Sequence, residues 1–336
     1  MVEFLGRYYE GAVGATEEYD LMMLLTLCTL SIGLASAAVA SVPPLQATPP
    51  GLEAPQSLSG LPPEDVRTKA AVTLPGWGAA GYSGFFTTNA IKSNHMFYWF
   101  FPNPGKPLLI WLQGGPGGSS MFGLFAEMGP FNSNAELKLV KRNASWTSRY
   151  AMLFIDNPVG AGFSYTTSDD GYCDDSKQCV ASNLYSLLQQ FYAAFPDQLK
   201  VELFITGESY GGHYVPAISA YIHKQNLAIR QSGTAVLTRW NAAHAWGAPA
   251  VSIPLGGMAI GDGWIDPVNM VPAYPAMLYN MGLCDERERA VIQDYCDRTV
   301  AFIKAGKMLD AFNVWDEFLN GDVWPYGNYV RSGART

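Results

Sequence analysis

The segment Val201-Glu202-Leu203-Phe204-Ile205-Thr206-Gly207-Glu208-Ser209-Tyr210-Gly211 constrains the fold more than any other part of the chain. A run of strand-forming residues ends in a turn with glycine two places before and two places after a serine. Helical spacing follows at once, through Ala217, Ile218, Tyr221 and Ile222. A strand that turns this sharply into a helix needs small residues on both sides of the turn, and it lifts the central side chain clear of the sheet. The same residues also suit a serine in a glycine-rich turn that caps a helix, so the motif needs its context.

A second glycine cluster supplies that context. Trp111-Leu112-Gln113-Gly114-Gly115-Pro116-Gly117-Gly118-Ser119-Ser120 follows another apolar run. Side chains are nearly absent from 114 to 118, which leaves backbone N–H groups bare. Acyl transfer at a serine requires such donors, because a negative oxygen develops on the substrate and must be met by groups already in place. The residue after the nucleophile, Tyr210, would give one N–H and Gly115 the other. A phosphate-binding loop is the competing reading, and it fails because no Gly-Lys-Ser/Thr follows.

Short apolar runs at 97–101, 107–112, 151–155, 201–206 and 258–260 read as strands. Their near-continuous hydrophobicity suits a sheet covered on both faces. Val180, Leu184, Leu187, Leu188, Phe191 and Phe195 recur at three- and four-residue spacing and predict an amphipathic helix over 179–195. Alternating strands and helices imply a mainly parallel sheet. After residue 268 the strand pattern stops, and 285–305 and 307–320 read as an added helical layer. Residues 226–256 show no period and are expected to form a long surface loop.

These residues resemble the serine carboxypeptidases. The motifs that carry the resemblance are Gln113–Ser120, Asn157-Pro158-Val159-Gly160-Ala161-Gly162-Phe163-Ser164-Tyr165 and Gly207–Ala217, with support from Leu74-Pro75-Gly76, Tyr82-Ser83-Gly84-Phe85 and Gly261-Asp262-Gly263-Trp264-Ile265-Asp266-Pro267. Gln113 and Gly118 are most similar to the vitellogenic-like subgroup. The resemblance covers about residues 72 to 325, apart from the 226–256 loop. It implies an α/β-hydrolase fold with a mainly parallel central sheet and a helical insertion, the C-terminal part of the fold being expected to be absent. It implies Ser209 as nucleophile and Gly115 and Tyr210 as the oxyanion hole. It also implies that Gln113, Gly114, Glu127 and Glu208 bind the substrate's terminal carboxylate. A protonated glutamic acid can donate to a carboxylate, and two neighbouring carboxyls raise at least one pKa, so an acid optimum is expected. Gly118 stands where many relatives have a cysteine, which removes one of their disulfides.

In this fold the triad runs Ser, then Asp, then His. After the elbow the remaining histidines are His223, on the following helix, and His244, in the irregular 226–256 segment; His213 is on the nucleophile's own helix and His95 precedes a strand. None has the surroundings of the family's catalytic histidine, and no later aspartate sits in a recognisable triad strand. The chain is therefore expected to lack its catalytic Asp and His, with activity doubtful in this form and an open sheet edge. The function expected from the resemblance is release of C-terminal residues from peptides through an acyl-enzyme on Ser209. A related acyltransferase and an inactive truncated binding protein stay as alternatives.

The division expected along the chain is an acidic extension at 1–20, a signal peptide at 21–40, a proline-rich linker at 41–66, the α/β-hydrolase core at 67–267 and a helical cap insertion at 268–336. No charge occurs between Asp20 and Glu53, and Ala35-Ser36-Ala37 and Ala38-Val39-Ala40 look like cleavage sites. The acidic stretch ahead of the apolar run is wrong for a signal peptide, so translation is expected to begin at Met22 or Met23. An uncleaved anchor is the rival reading, and no stable membrane anchor is expected. Residues 41–65 carry seven prolines and are expected not to pack. Cys173 and Cys179 flank a short polar loop and could pair locally. A secreted or lysosome-like compartment is expected, with Asn143-Ala144-Ser145 as a glycosylation sequon. The net charge of −8, with no basic cluster, argues against nucleic acid as a partner. Peptide or protein substrates are the expected partners, and no metal or organic cofactor is indicated.

Overall fold

The computed structural model describes residues 55–74, 78–134, 136, 138–232 and 250–320. The expected N-terminal extension and signal segment, most of the proline-rich stretch and His244 lie outside the described residues. The described residues form two compact units, one reaching Gly263 and the other beginning at Trp264.

The first unit opens with helix α1 (Pro63–Ala70), followed by strands β1 (Ala71–Leu74), β2 (Gly78–Asn89), β3 (Asn94–Phe101) and β4 (Leu108–Leu112). A small hairpin, β5 (Phe131–Ser133) and β6 (Leu139–Lys141), precedes β7 (Ala151–Ile155) and β8 (Tyr165–Thr166). Helix α2 (Ala181–Ala194), strand β9 (Leu203–Glu208), helix α3 (Gly211–Ser232) and strand β10 (Leu255–Gly261) complete it. The main sheet runs in the order β1-β2-β3-β7-β4-β9-β10, with β8 on β3. Its centre, β7-β4-β9-β10, is parallel, whereas β1, β2, β3 and β8 join antiparallel.

The apolar runs are continuous because successive residues enter two different cores. Met96, Tyr98 and Phe100 of β3, Leu108, Ile110 and Leu112 of β4, and Leu153 and Ile155 of β7 share one core with Leu184, Leu188 and Phe191 of α2 and Val215, Ile218 and Ile222 of α3. The alternate residues Phe97, Phe101, Leu109, Trp111, Met152 and Phe154 enter a second core with Leu124, Met128 and Phe131. Strand β10 departs from this pattern: half of the Met258 side chain is exposed.

The centre of the sheet is parallel, as expected, and the glycine-rich β2 adds an antiparallel side that the residue pattern does not mark. The structure corrects the reading in two places. The segment 226–256 is not a loop at either end. Helix α3 continues to Ser232 and β10 begins at Leu255. Asn226 is buried there, its Nδ2 donating to the Ile253 carbonyl (2.8 Å) and its Oδ1 accepting from the Ile253 N–H (3.0 Å). Residues expected in an unpacked linker also pack, since Leu58 and Val66 are buried and Ser57 and Ser59 bond to β2 at Thr87.

The second unit is helical: α4 (Pro267–Met270), α5 (Tyr274–Asn280), α6 (Glu286–Lys304) and α7 (Met308–Asn320). Asp285 starts α6 with a capping box, its Oδ1 accepting from the N–H groups of Arg287 and Glu288 while Glu288 accepts from the Asp285 N–H. Val271, Ile292, Cys296 and Phe318 form its core, with the Trp264 and Trp315 rings stacked at 5.2 Å.

Candidate active site

Ser209 follows β9 and precedes α3, at the C-terminal end of the central parallel strands. Ligands of open α/β sheets bind at this end. Its φ of +53° is left-handed, a conformation that residues with a Cβ rarely adopt. The turn is pressed against the end of β4. A Cβ at Gly207 would stand 2.5 Å from the Leu112 carbonyl oxygen, so only glycine fits. The Ser209 N–H donates to the Gly261 carbonyl (3.1 Å) and more weakly to Asp262 Oδ1 (3.4 Å).

The glycine cluster after β4 lies directly on this turn. A Cβ at Gly114 would be 2.7 Å from Ser209 Cβ, 2.7 Å from the Tyr210 nitrogen and 2.8 Å from the Glu208 carbonyl oxygen. The turn closes through the Gly118 N–H and the Gly114 carbonyl (2.9 Å), and the Gly117 N–H reaches the buried Tyr214 hydroxyl. Neither the Gly115 N–H nor the Tyr210 N–H has a protein acceptor among the described residues.

Gln113 is buried and its amide is oriented from both sides. Trp111 Nε1 donates to its Oε1 (2.9 Å), which leaves Nε2 to donate to Glu208 Oε1 (2.5 Å). Glu208 in turn meets Glu127, which leaves a short π-helical turn at Gly123–Glu127. Burial first, then the Glu208 charge, push the Glu127 carboxyl up to about 9. Burial also raises Glu208, against the hydrogen bonds from Glu127 and Gln113 that favour its ionised form. The pair titrates as a unit, and Glu127 holds the proton. Its Oε2 is buried with no hydrogen-bond partner among the described residues.

Asp156 holds the glycine cluster from behind. It is fully buried at the end of β7. Its Oδ1 accepts from Ser119 Oγ (2.6 Å) and the Ser120 N–H (2.9 Å), and its Oδ2 accepts from the Phe163 N–H (2.8 Å). Ser120 Oγ then receives the Gln113 N–H (3.1 Å). A chain of hydrogen bonds thus runs from Asp156 to the Gln113 that orients Glu208. The reading of the residues missed Asp156 and Asp262. The available signals were an aspartate ending a buried strand ahead of Asn157-Pro158, and an aspartate between two glycines after β10.

The structure brings Gln113, Gly114, Gly115, Glu127, Glu208, Ser209 and Tyr210 together. It does not bring a histidine to the nucleophile among the described residues. His213 lies on the first turn of α3 with its ring 4.6 Å from that of Tyr210. His95 stacks on Tyr165 and His223 is exposed along α3. Asn143 is exposed in a bend ahead of Ser145, whose hydroxyl caps the turn at Trp146–Ser148. Cys173 and Cys179 form a disulfide. No group of three metal-ligating side chains occurs among the described residues. None of the described helices is long and apolar enough to cross a membrane.

A sequence profile described as serine carboxypeptidase matches residues 75–323. The probable serine carboxypeptidase CPVL of Mus musculus is 40% identical over 264 residues, 77% of this chain and 51% of the relative. The venom serine carboxypeptidase of Apis mellifera is 38% identical over 265 residues, 77% of this chain and 52% of the relative. Among solved structures, the prohormone-processing carboxypeptidase Kex1(delta)p of Saccharomyces cerevisiae aligns with a TM-score of 0.55 at 26% identity, covering 71% of this chain and 52% of the other. The chain spans about half the length of the curated relatives it matches.

Proposed function

Because the chain belongs to the serine carboxypeptidase family, we propose that it carries the nucleophile and substrate-carboxylate half of a serine-type carboxypeptidase. Ser209 is the nucleophile that takes up the acyl group. The N–H groups of Gly115 and Tyr210 meet the negative oxygen of the tetrahedral intermediate. Gln113, Gly114, Glu127 and Glu208 receive the free carboxylate of the peptide's last residue. The observation that supports this reading is the close approach of Gly114 to the Ser209 turn, at the Ser209 Cβ, the Tyr210 nitrogen and the Glu208 carbonyl.

A carboxylate is an unusual choice for binding another carboxylate. It works here only in its protonated form, which donates where an ionised one would repel. The raised Glu127 provides that form up to about pH 9, while Gln113 Nε2 holds the partner in place. The pair favours peptides with a free C-terminus over a plain acyl donor and an alcohol, which separates this reading from the acyltransferase. A serine hydroxyl is a poor nucleophile without a base. No histidine is bonded to Ser209 among the described residues, so turnover needs a base that approaches from outside them.

The Cys173–Cys179 disulfide supports an oxidising, secretory-type compartment, and the exposed Asn143 is a proposed glycosylation site within it. The division of the chain into extension, signal, linker, core and cap stays part of the same proposal. The test is equilibrium binding of an N-acyl dipeptide as free acid and as C-terminal amide. The free acid is expected to bind at least tenfold more tightly at pH 4.5, and equal binding overturns the reading.

A further inference from the structure

We propose that Asp262 is a third carboxyl of the site, a positioning residue that holds the Ser209 turn and sets a negative charge beside the strand end that carries Glu208, and so governs how the Glu127–Glu208 pair receives a carboxylate. The inference rests on the carboxylate-binding reading of that pair.

The geometry carries it. β10 lies parallel to β9 with Gly261 in register with Glu208, so the residue after Gly261 emerges beside the nucleophile turn. Asp262 is left-handed there, at φ +38°, a conformation that is strained for a residue with a Cβ. That backbone turns Oδ1 toward the Ser209 N–H at 3.4 Å, a donor that is already shared with the Gly261 carbonyl. Asp and Asn tolerate this conformation better than other side chains, so the fold alone would accept either. Only the aspartate brings charge.

The charge acts on both glutamates. Glu208 is set on the neighbouring strand end, and Glu127 faces it from the turn after β4. The field of Asp262 opposes ionisation of each, adding to their burial. Of the other groups around the elbow, Gln113 is a neutral donor, and Tyr210, Tyr214 and His213 come from the α3 side. Lys177 acts there too, and its charge together with burial disfavours the charged form of His213. Asp262 is exposed, so solvent screens it and its effect is modest. The sign is nonetheless fixed: without it the pair loses its proton at lower pH.

The experiment measures the free-acid preference of an N-acyl dipeptide over its amide between pH 4 and 10, in the full chain and in Asp262→Asn. Wild type is expected to prefer the acid at pH 4.5 and to lose that preference as pH rises. Asp262→Asn is expected to keep the preference at pH 4.5 but lose it earlier, with at least twofold less of it at the wild-type midpoint. Asp262→Ser, short and polar but uncharged, is expected to shift the same way, and it answers the question if Asp262→Asn fails to fold. Curves that superimpose on wild type, or move to higher pH, overturn this inference alone. A wild type without acid preference at any pH overturns the underlying reading and this inference with it.

Discussion

Gly114 touches the nucleophile turn so closely that its missing side chain is part of the site: a Cβ there would sit 2.7 Å from the Cβ of Ser209. The neighbouring atoms are backbone, the Tyr210 nitrogen and the Glu208 carbonyl oxygen, and β9 holds them in the centre of the sheet. They cannot step aside. Gly114→Ala is therefore expected to lower stability by roughly 1–3 kcal/mol, the usual cost of overpacking, and to weaken dipeptide binding. Urea unfolding checks the first effect. An unchanged midpoint would show that the contact is looser than described.

The carboxyl pair gives the protein a pH-dependent stability of known sign. Glu127 ionises near 9 when folded and near its ordinary 4.5 when unfolded. The folded chain thus holds a proton that the unfolded chain releases. Its stabilising contribution is complete below about pH 4.5 and is lost as pH rises toward 9. One such group gives a slope of up to about 1.4 kcal/mol per pH unit. Glu127→Gln is expected to flatten the fall in stability between pH 5 and 8, measured by denaturant unfolding at each pH. A variant with the wild-type slope would place the proton elsewhere.

Gln113 is satisfied on both ends of its amide, by Trp111 and by Glu208. Gln113→Leu keeps much of the volume and removes both bonds, leaving the Trp111 N–H unpaired and the half-buried Glu208 with Glu127 but without its amide donor. A loss of roughly 1–3 kcal/mol is expected, together with a smaller free-acid preference in dipeptide binding. Retained preference would mean that Glu208 needs no orienting donor.

Asp156 accepts three hydrogen bonds from the two loops that close over it. Asp156→Ala strands two backbone N–H groups and a serine hydroxyl, so a loss of about 3 kcal/mol or more is expected in thermal unfolding. Ser119→Ala removes one of these bonds and should cost about 1 kcal/mol. Equal losses in the two variants would contradict the clamp.

Much of this was legible in the residues. Four of the five apolar runs lie in strands that alternate between two cores, and a run with no polar break has few other places to go; the fifth, in β10, is partly exposed. The elbow was legible because Gly207 is forced by the Leu112 carbonyl, and Gly211 lies close to the same oxygen. Strand β2 was not, since Gly78, Gly81 and Gly84 carry no side chain to pattern. The end of α3 was hidden because residues from 226 on show no period, and the two bonds from Asn226 to Ile253 that hold it there are long-range. The carboxyl pair at Glu127 and Glu208 came from resemblance alone, because no spacing relates residues brought together by a π-helical turn and a strand end. Asp156 and Asp262 owe their roles to hydrogen bonds across 36 and 53 residues, which no local pattern records.

The central claim is that one site around Ser209 receives a peptide by its terminal carboxylate. Backbone amide shifts of Gly114, Gly115 and Tyr210 test it most directly, followed by NMR as an N-acyl dipeptide is titrated into the chain at pH 4.5. Saturable shifts at these three residues with the free acid, and little change with the C-terminal amide at the same concentration, are predicted. Equal shifts with both ligands, or shifts confined to other parts of the sheet, would contradict the account.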